Sequence, residues 1–147
     1  MKAPFLILAI FVFPLLLSCK SSKTVLEKSD MNDVIALSQA DSAPMFNGKA
    51  YDEDFYEYLY QNIRYPIEAM QRGISGIVIV QFVIEKDGSV SNVKVSKSAH
   101  ILLDNEAIRL IKRSPKWTPG IKADELVRVM IDIHVTFRLS GVYNLQS

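Results

Sequence analysis

The most constraining feature of the sequence is the alternation of apolar and polar side chains between residues 127 and 139. All the odd positions in this stretch are apolar, and every even position except Met130 is polar or charged. Successive side chains of a β-strand point to opposite faces, so the pattern predicts one long strand with a buried face and a wet face. Such alternation is typical of an open antiparallel sheet, and it places Arg128 on the wet face.

Two further strands are predicted upstream of this one. Residues 76–85 are rich in β-branched side chains, and Lys86-Asp87-Gly88 is a hairpin turn signal that leads into a return strand. The apolar positions of the return strand change parity between Val90 and Val93, which predicts a β-bulge near Ser91 and Asn92.

Helical patterns surround the hairpin. Apolar residues recur at every fourth position from Phe55 to Ile63, and Pro66 is expected to end that helix and open a short second one. A third helix is expected near Asp104, which can cap its first turn. A hairpin followed by a crossover helix places the last strand beside the first. We therefore predict an α+β fold with a three-stranded antiparallel sheet, in the order second, first, third, and with helices packed on one face.

The N-terminal segment is predicted to be a signal peptide that is cleaved from the chain. Residues 3–17 carry no charge and include Pro14, whereas a membrane span needs roughly 20 apolar residues. At the end of this segment, Leu16-Leu17-Ser18-Cys19 resembles a bacterial lipoprotein signal, which implies a lipid on Cys19. We predict a signal peptide over residues 1–18, a polar tether over 19–43, a folded domain over 44–141 and a tail over 142–147.

The sequence offers little catalytic chemistry. Lys plus Arg number 17 against 16 for Asp plus Glu, a balance that argues against a nucleic-acid partner. The single Cys excludes an intrachain disulfide, and the two His residues show no metal-ligand spacing. There is no phosphate-binding loop or nucleophile motif. We therefore predict no catalytic residue, no metal, no cofactor and no enzymatic activity.

A series of short motifs follows in a fixed order along the second half of the chain. They are Tyr65-Pro66, Arg72-Gly73-Ile74-Ser75-Gly76, Lys86-Asp87-Gly88, Leu103-Asp104, Trp117-Thr118-Pro119-Gly120 and Phe137-Arg138-Leu139. In this order and spacing they resemble the C-terminal domain of the TonB energy-transducer family. Residues 44–63 are similar to the upstream extension of members from Bacteroidetes.

The resemblance implies a partner and a binding site. In that family a short peptide of an outer-membrane transporter, the TonB box, pairs with the exposed edge of the last strand by β-strand addition. Carried onto this chain, the resemblance implies a site along residues 128–136 and a second contact region before the first strand. The implied site residues are Gln71, Arg72, Arg128, Val129, Met130, Ile131, Asp132, Ile133, His134 and Thr136. Of these, Val129, Ile131 and Ile133 are expected to be core residues first.

Three functions remain open on the sequence alone. The first is a periplasm-facing binding module held by its lipid anchor, in the outer membrane rather than the inner one. The second is a true energy transducer that keeps residues 3–17 as a membrane anchor and couples the inner-membrane proton-motive force to transport. The third is an envelope scaffold that self-associates, for example as a homodimer, through its last strand.

Overall fold

The computed structural model describes residues 31–139, without the side chain of Asp52. The predicted signal peptide, the predicted lipid site at Cys19 and the predicted tail lie outside the described residues, and those predictions stay untested. Among the helices of residues 31–139, none is long and apolar enough to cross a bilayer.

Seven strands and three helices make up the described chain. The strands are β1 (Val34–Ala36), β2 (Met45–Phe46), β3 (Lys49–Ala50), β4 (Gly76–Ile84), β5 (Val90–Lys97), β6 (Gly120–Lys122) and β7 (Glu125–Phe137). The helices are α1 (Tyr51–Asn62), α2 (Ile67–Gln71) and α3 (Ile101–Lys112), and a 3-10 turn (Leu37–Gln39) follows β1.

The predicted three-stranded arrangement forms the centre of the main sheet. The strand β4 pairs antiparallel with β7 along its whole length and with β5 on its other side, which confirms the order second, first, third. The prediction was incomplete at the edge, because β1 adds to β7 in parallel and gives the order β1–β7–β4–β5. The short β6 also pairs with the start of β7.

One face of the sheet carries the core, and the helices cover that face. The even positions of β4 from Val78 onward and the odd positions of β7 from Val129 onward are buried, as the alternation predicts. They form one apolar cluster with residues of α1 and α3, among them Phe55, Leu59, Leu103 and Leu110. The predicted α+β class, with helices on one face of an antiparallel core sheet, is therefore confirmed.

The β4–β5 hairpin shows the predicted turn and bulge. Gly88 adopts φ 79°, and its amide donates to the carbonyl of Glu85 at 2.9 Å. The register between the two strands shifts from Gln81↔Lys94 to Val83↔Ser91, and Asn92 lies in the left-handed region at φ 49°. The extra residue of this bulge explains the change of apolar parity in β5.

The start of α3 differs from the prediction. The helix begins at Ile101, and its cap is His100, whose Nδ1 accepts a hydrogen bond from the amide of Leu102 at 3.2 Å. Asp104 already lies inside the helix, where its buried carboxylate accepts hydrogen bonds from Ser98 and from the amide of Ala99. Asp104 therefore fixes the loop before α3 and does not cap the helix.

An upstream hairpin joins the core through one aromatic side chain. The strands β2 and β3 are connected by Asn47 and Gly48, both with positive φ, which is the two-residue turn that Asn-Gly favours. Phe46 is 1% exposed, and its ring centroid lies 5.0 Å from that of Phe55 and 5.1 Å from that of Trp117. The hairpin is therefore part of the same packed unit as the sheet.

Candidate functional site

The outer edge of β7 has no strand paired with it over seven consecutive residues of the described chain. From Ile131 to Phe137, β4 is the one strand among residues 31–139 that pairs with β7. A strand with a partner on one side presents alternating N–H and C=O groups on the other side. Pairing on the outer side is described only nearer the start of the strand, where β1 lies against residues 128–130.

The side chains along this edge divide into two sets. Val129, Ile131 and Ile133 are at most 2% exposed and pack beneath the helices, as expected for core residues. Any partner would therefore meet these three positions through their backbone. On the opposite face of the sheet, Asp132, His134 and Thr136 are exposed and Met130 is half-buried. The Asp132 carboxylate accepts a hydrogen bond from Gln81 on β4 at 3.1 Å.

Arg128 departs from its expected place on the wet face, because it is only 7% exposed. Its guanidinium donates from Nε and Nη2 to the two carboxylate oxygens of Glu85, at 2.7 and 2.9 Å. Its Nη1 donates to Asp33 at 2.6 Å. Two carboxylates thus enclose the charge, and their hydrogen bonds, Glu85 first, raise the pKa of Arg128 above its ordinary value.

Asp33 is a site residue that the sequence analysis did not identify. It directly precedes β1, and its carboxylate forms the ion pair with Arg128 although its own side chain is 57% exposed. The hydrogen bond from Arg128 lowers the pKa of Asp33 below its usual range. The only sequence signal is an acid before two β-branched residues, which is too short to predict a strand.

The second predicted contact region lies at one end of the sheet. Gln71 and Arg72 are exposed at the end of α2, where Arg72 pairs with Glu68 at 2.9 Å. Four residues later β4 begins at Gly76, opposite Phe137 of β7. Tyr65 connects the segment before β4 with the end of β7. Its hydroxyl donates to the carbonyl of Ile74, and its ring centroid lies 5.8 Å from that of Phe137. Gln71 and Arg72 thus precede the strand whose first residue, Gly76, pairs with the far end of β7.

Comparison with known proteins identifies the family. The family described as "Gram-negative bacterial TonB protein C-terminal" matches residues 61–139, which is more than half of the chain. The chain belongs to the TonB C-terminal family. The matched range begins near the end of α1 and includes α2, α3 and the whole of β4, β5 and β7. The elements β1, β2 and β3 precede the TonB match.

Two curated TonB relatives come from strains of Helicobacter pylori. Protein TonB of strain J99 is 44% identical over 71 residues, covering 48% of this chain and 25% of that protein. Protein TonB of strain 26695 is 42% identical over 71 residues, covering 48% and 24%. The match thus spans about a quarter of the length of these relatives. An NMR structure of the Helicobacter pylori TonB C-terminal domain is 31% identical, with a TM-score of 0.47, and covers 60% of this chain and 94% of that one.

Proposed function

We propose that this TonB-family protein is a non-enzymatic, periplasm-facing binding module that captures extended peptides of outer-membrane transporters by adding them to β7. In the proposal, the chain is anchored by a lipid on Cys19, in the outer membrane rather than the inner one. The observation that carries the proposal is the outer edge of β7, to which no described strand adds between Ile131 and Phe137.

The edge of β7 is suited to strand addition because its position is rigidly determined. The buried side chains of Val129, Ile131 and Ile133 fix the register of β7 against β4 and the helices. A slip of one residue would expose all three to water, so the strand holds its backbone groups in one arrangement. An extended peptide can pair with such a template through main-chain hydrogen bonds, with selectivity added by alternate side chains.

The opposite edge of the sheet is protected against the same reaction. The strand β5 has two register shifts against β4, and Asn92 at one of them adopts a left-handed conformation. The exposed side chains of β5 include Lys94 and Lys97. Bulges and lysines are the usual means by which an edge strand avoids unwanted pairing. The asymmetry between the two edges supports β7 as the binding edge.

Alternate N-methylation of the peptide tests strand addition without any change to the protein. The probes are synthetic peptides with the TonB-box sequences of the host's outer-membrane transporters, titrated into the full chain in detergent. Each binding peptide is then remade with N-methyl groups on its odd or on its even residues. One series should abolish binding and the other should preserve it, because every second amide of an added strand faces the sheet. Equal binding of both series would contradict strand addition.

Two variants of β7 complement this test. Asp132→Pro and His134→Pro each remove one backbone donor from the strand. If those N–H groups face outward, the variants should keep their circular dichroism spectrum and lose peptide binding. Unchanged affinity in a folded variant would contradict pairing at that position.

Sedimentation of the peptide-free protein distinguishes the scaffold function from the binding module, since self-association through β7 would give dimers that the peptide dissociates.

Intact mass separates the lipid-anchored module from a membrane-spanning transducer. We expect protein purified from its native membrane to begin at Cys19 and to carry acyl chains, whereas Cys19→Ala should carry none. A full-length mass without lipid would contradict the anchor and favour a transducer that retains residues 3–17.

A further inference from the structure

The strand β1 already occupies part of the edge proposed for the peptide. Val34, Ile35 and Ala36 pair in parallel with residues 128–130 of β7. The implied peptide site begins at the same residues of β7 and continues toward Thr136. An incoming strand that used the whole site and the segment containing β1 therefore cannot both be bound along residues 128–130.

The attachment of β1 is small compared with that of the other neighbour of β7. It pairs at three positions, whereas β4 pairs with β7 from Gly76 to Ile84. Val34 and Ile35 are only half-buried, and Ala36 is exposed. Parallel pairing is also slightly less stable per residue than antiparallel pairing. These features favour a strand that can leave the sheet while the core stays folded.

An ion pair between Asp33 and Arg128 fastens the start of β1 to β7. Asp33 binds Nη1 of Arg128 at 2.6 Å, while Glu85 binds Nε and Nη2 from β4's side of the sheet. Glu85 remains beside Arg128 when β1 leaves, so the guanidinium keeps one carboxylate partner. The Asp33–Arg128 contact thus acts as a latch between β1 and the edge.

We propose that β1 is a built-in competitor for the edge of β7, which an incoming peptide displaces. The open residues 131–137 offer a first docking place, from which the peptide extends along β7 and replaces β1 at residues 128–130. The competition makes binding weaker than the edge alone would allow. This inference rests on the proposed function, because it assumes that the edge receives a strand from a partner.

The test uses a synthetic copy of β1 as its probe. A fluorescein-labelled peptide with the sequence of residues 31–39 is titrated into the full chain in detergent. The test variant, Asp33→Ala with Ile35→Ala, removes the latch and the half-buried apolar contact of β1. The matched control, Asn32→Ala with Ser38→Ala, changes two exposed residues that flank them. Both variants leave the sequence of β7 unaltered, and circular dichroism is used to check that they are folded.

Relief of competition should appear as tighter binding to the test variant alone. A β1 that is docked in about 90% of molecules reduces the apparent affinity about tenfold, so the test variant should gain about tenfold over wild type and control. Hydrogen exchange should show loss of protection at residues 34–36 in the same variant. Equal affinity for all three proteins, or no binding to any of them, would overturn the inference.

The transporter peptides distinguish failure of the inference from failure of the proposed function. If they bind neither protein while the β1 copy prefers the test variant, the competitor is supported and the proposed partner is wrong. If they bind wild type and test variant equally, the partner stands and the competitor is overturned.

Discussion

Two glycines with nearly the same backbone conformation have very different surroundings. Gly48 has φ 77° and Gly88 has φ 79°, both in the left-handed region that disfavours residues with a Cβ. A Cβ on Gly48 would meet nothing within 4 Å, whereas one on Gly88 would lie 1.9 Å from the carbonyl oxygen of Trp117. The amide of Trp117 also donates a hydrogen bond to the carbonyl oxygen of Gly88 at 2.8 Å. The turn at Gly88 is thus both a conformational and a packing requirement.

Substitution of each glycine by alanine separates these two requirements. Gly48→Ala should lower the free energy of unfolding by about 1 kcal/mol, the cost of a left-handed non-glycine residue. Gly88→Ala should lower it by about 3 kcal/mol or more, because the backbone near Trp117 must also move. Urea unfolding of the two variants measures the difference. Equal losses would mean that the contact between Gly88 and Trp117 contributes nothing.

The docking of strand β1 involves one ionised side chain, Asp33, which pairs with Arg128. The pKa of Asp33 is lowered by Arg128, so its favourable contribution is fully present above the ordinary value of 3.8. The contribution is lost as the pH falls through the lowered folded-state pKa. Docking of β1 should therefore be constant from neutral pH to about 4 and weaken below it.

NMR contacts between strands can follow this dependence. We expect the contact between Ile35 and Val129 to weaken below about pH 4 in the wild type. The contact between Val80 and Ile133 should persist over the same range and serves as the internal reference for an intact core. Asp33→Asn should weaken the β1 contact already at neutral pH and remove its pH dependence. A β1 contact that is lost only together with the core contact would contradict independent release.

The elements that could be predicted from the sequence are those whose side chains meet the core. The alternation in β7 and the β-branched run in β4 are long enough to reveal their buried faces, and the bulge at Asn92 appears as a change of parity. Strand β1 could not be predicted, because three residues at a sheet edge have no periodicity to detect. The Asn47-Gly48 pair is a hairpin signal that is already present in the sequence.

The candidate site was less predictable than the fold because its chemistry depends on long-range partners. The position of Arg128 in the alternation indicates a wet face, yet Glu85 and Asp33 come from distant parts of the chain and enclose it. The roles of His100 and Asp104 were also not predictable, although their partners are close in sequence. Both residue types can accept a helix-capping hydrogen bond, and the exact start of α3 decides which one does.

At the scale of the whole molecule, an aromatic cluster joins the upstream hairpin to the part of the chain that matches the TonB family. Phe46 comes from β2, Phe55 and Tyr58 from α1, Phe82 from β4, and Trp117 from the turn before β6. Only Phe82 and Trp117 lie within residues 61–139. The family match alone therefore does not contain the complete core.

Removal of the Phe46 ring tests whether the hairpin belongs to the folding unit. Phe46→Ala should lower the free energy of unfolding by about 3–5 kcal/mol, as for other buried aromatic residues. Tyr60→Ala is the control, since Tyr60 is 80% exposed on α1, and its cost should stay within about 0.5 kcal/mol. The single tryptophan reports the unfolding by fluorescence, because its ring lies 5.1 Å from that of Phe46. Equal costs for the two variants would separate the hairpin from the core.

The short strand β1 also determines where the chain leaves the body of the domain. While β1 is docked, the chain is attached to the sheet from Asp33 onward. If β1 is released together with Leu37 and Ala40, the next backbone hydrogen bonds to the rest of the domain are those of the Asp41 and Ser42 amides with the carbonyl of Ile121, at 2.8 and 3.0 Å. Residues 33–40 are then freed, and eight extended residues add about 27 Å to the reach of the preceding chain. For a domain tethered to a membrane, displacement of β1 by a peptide would increase the distance that the domain can reach from its anchor. The domain could then follow a bound peptide away from the membrane.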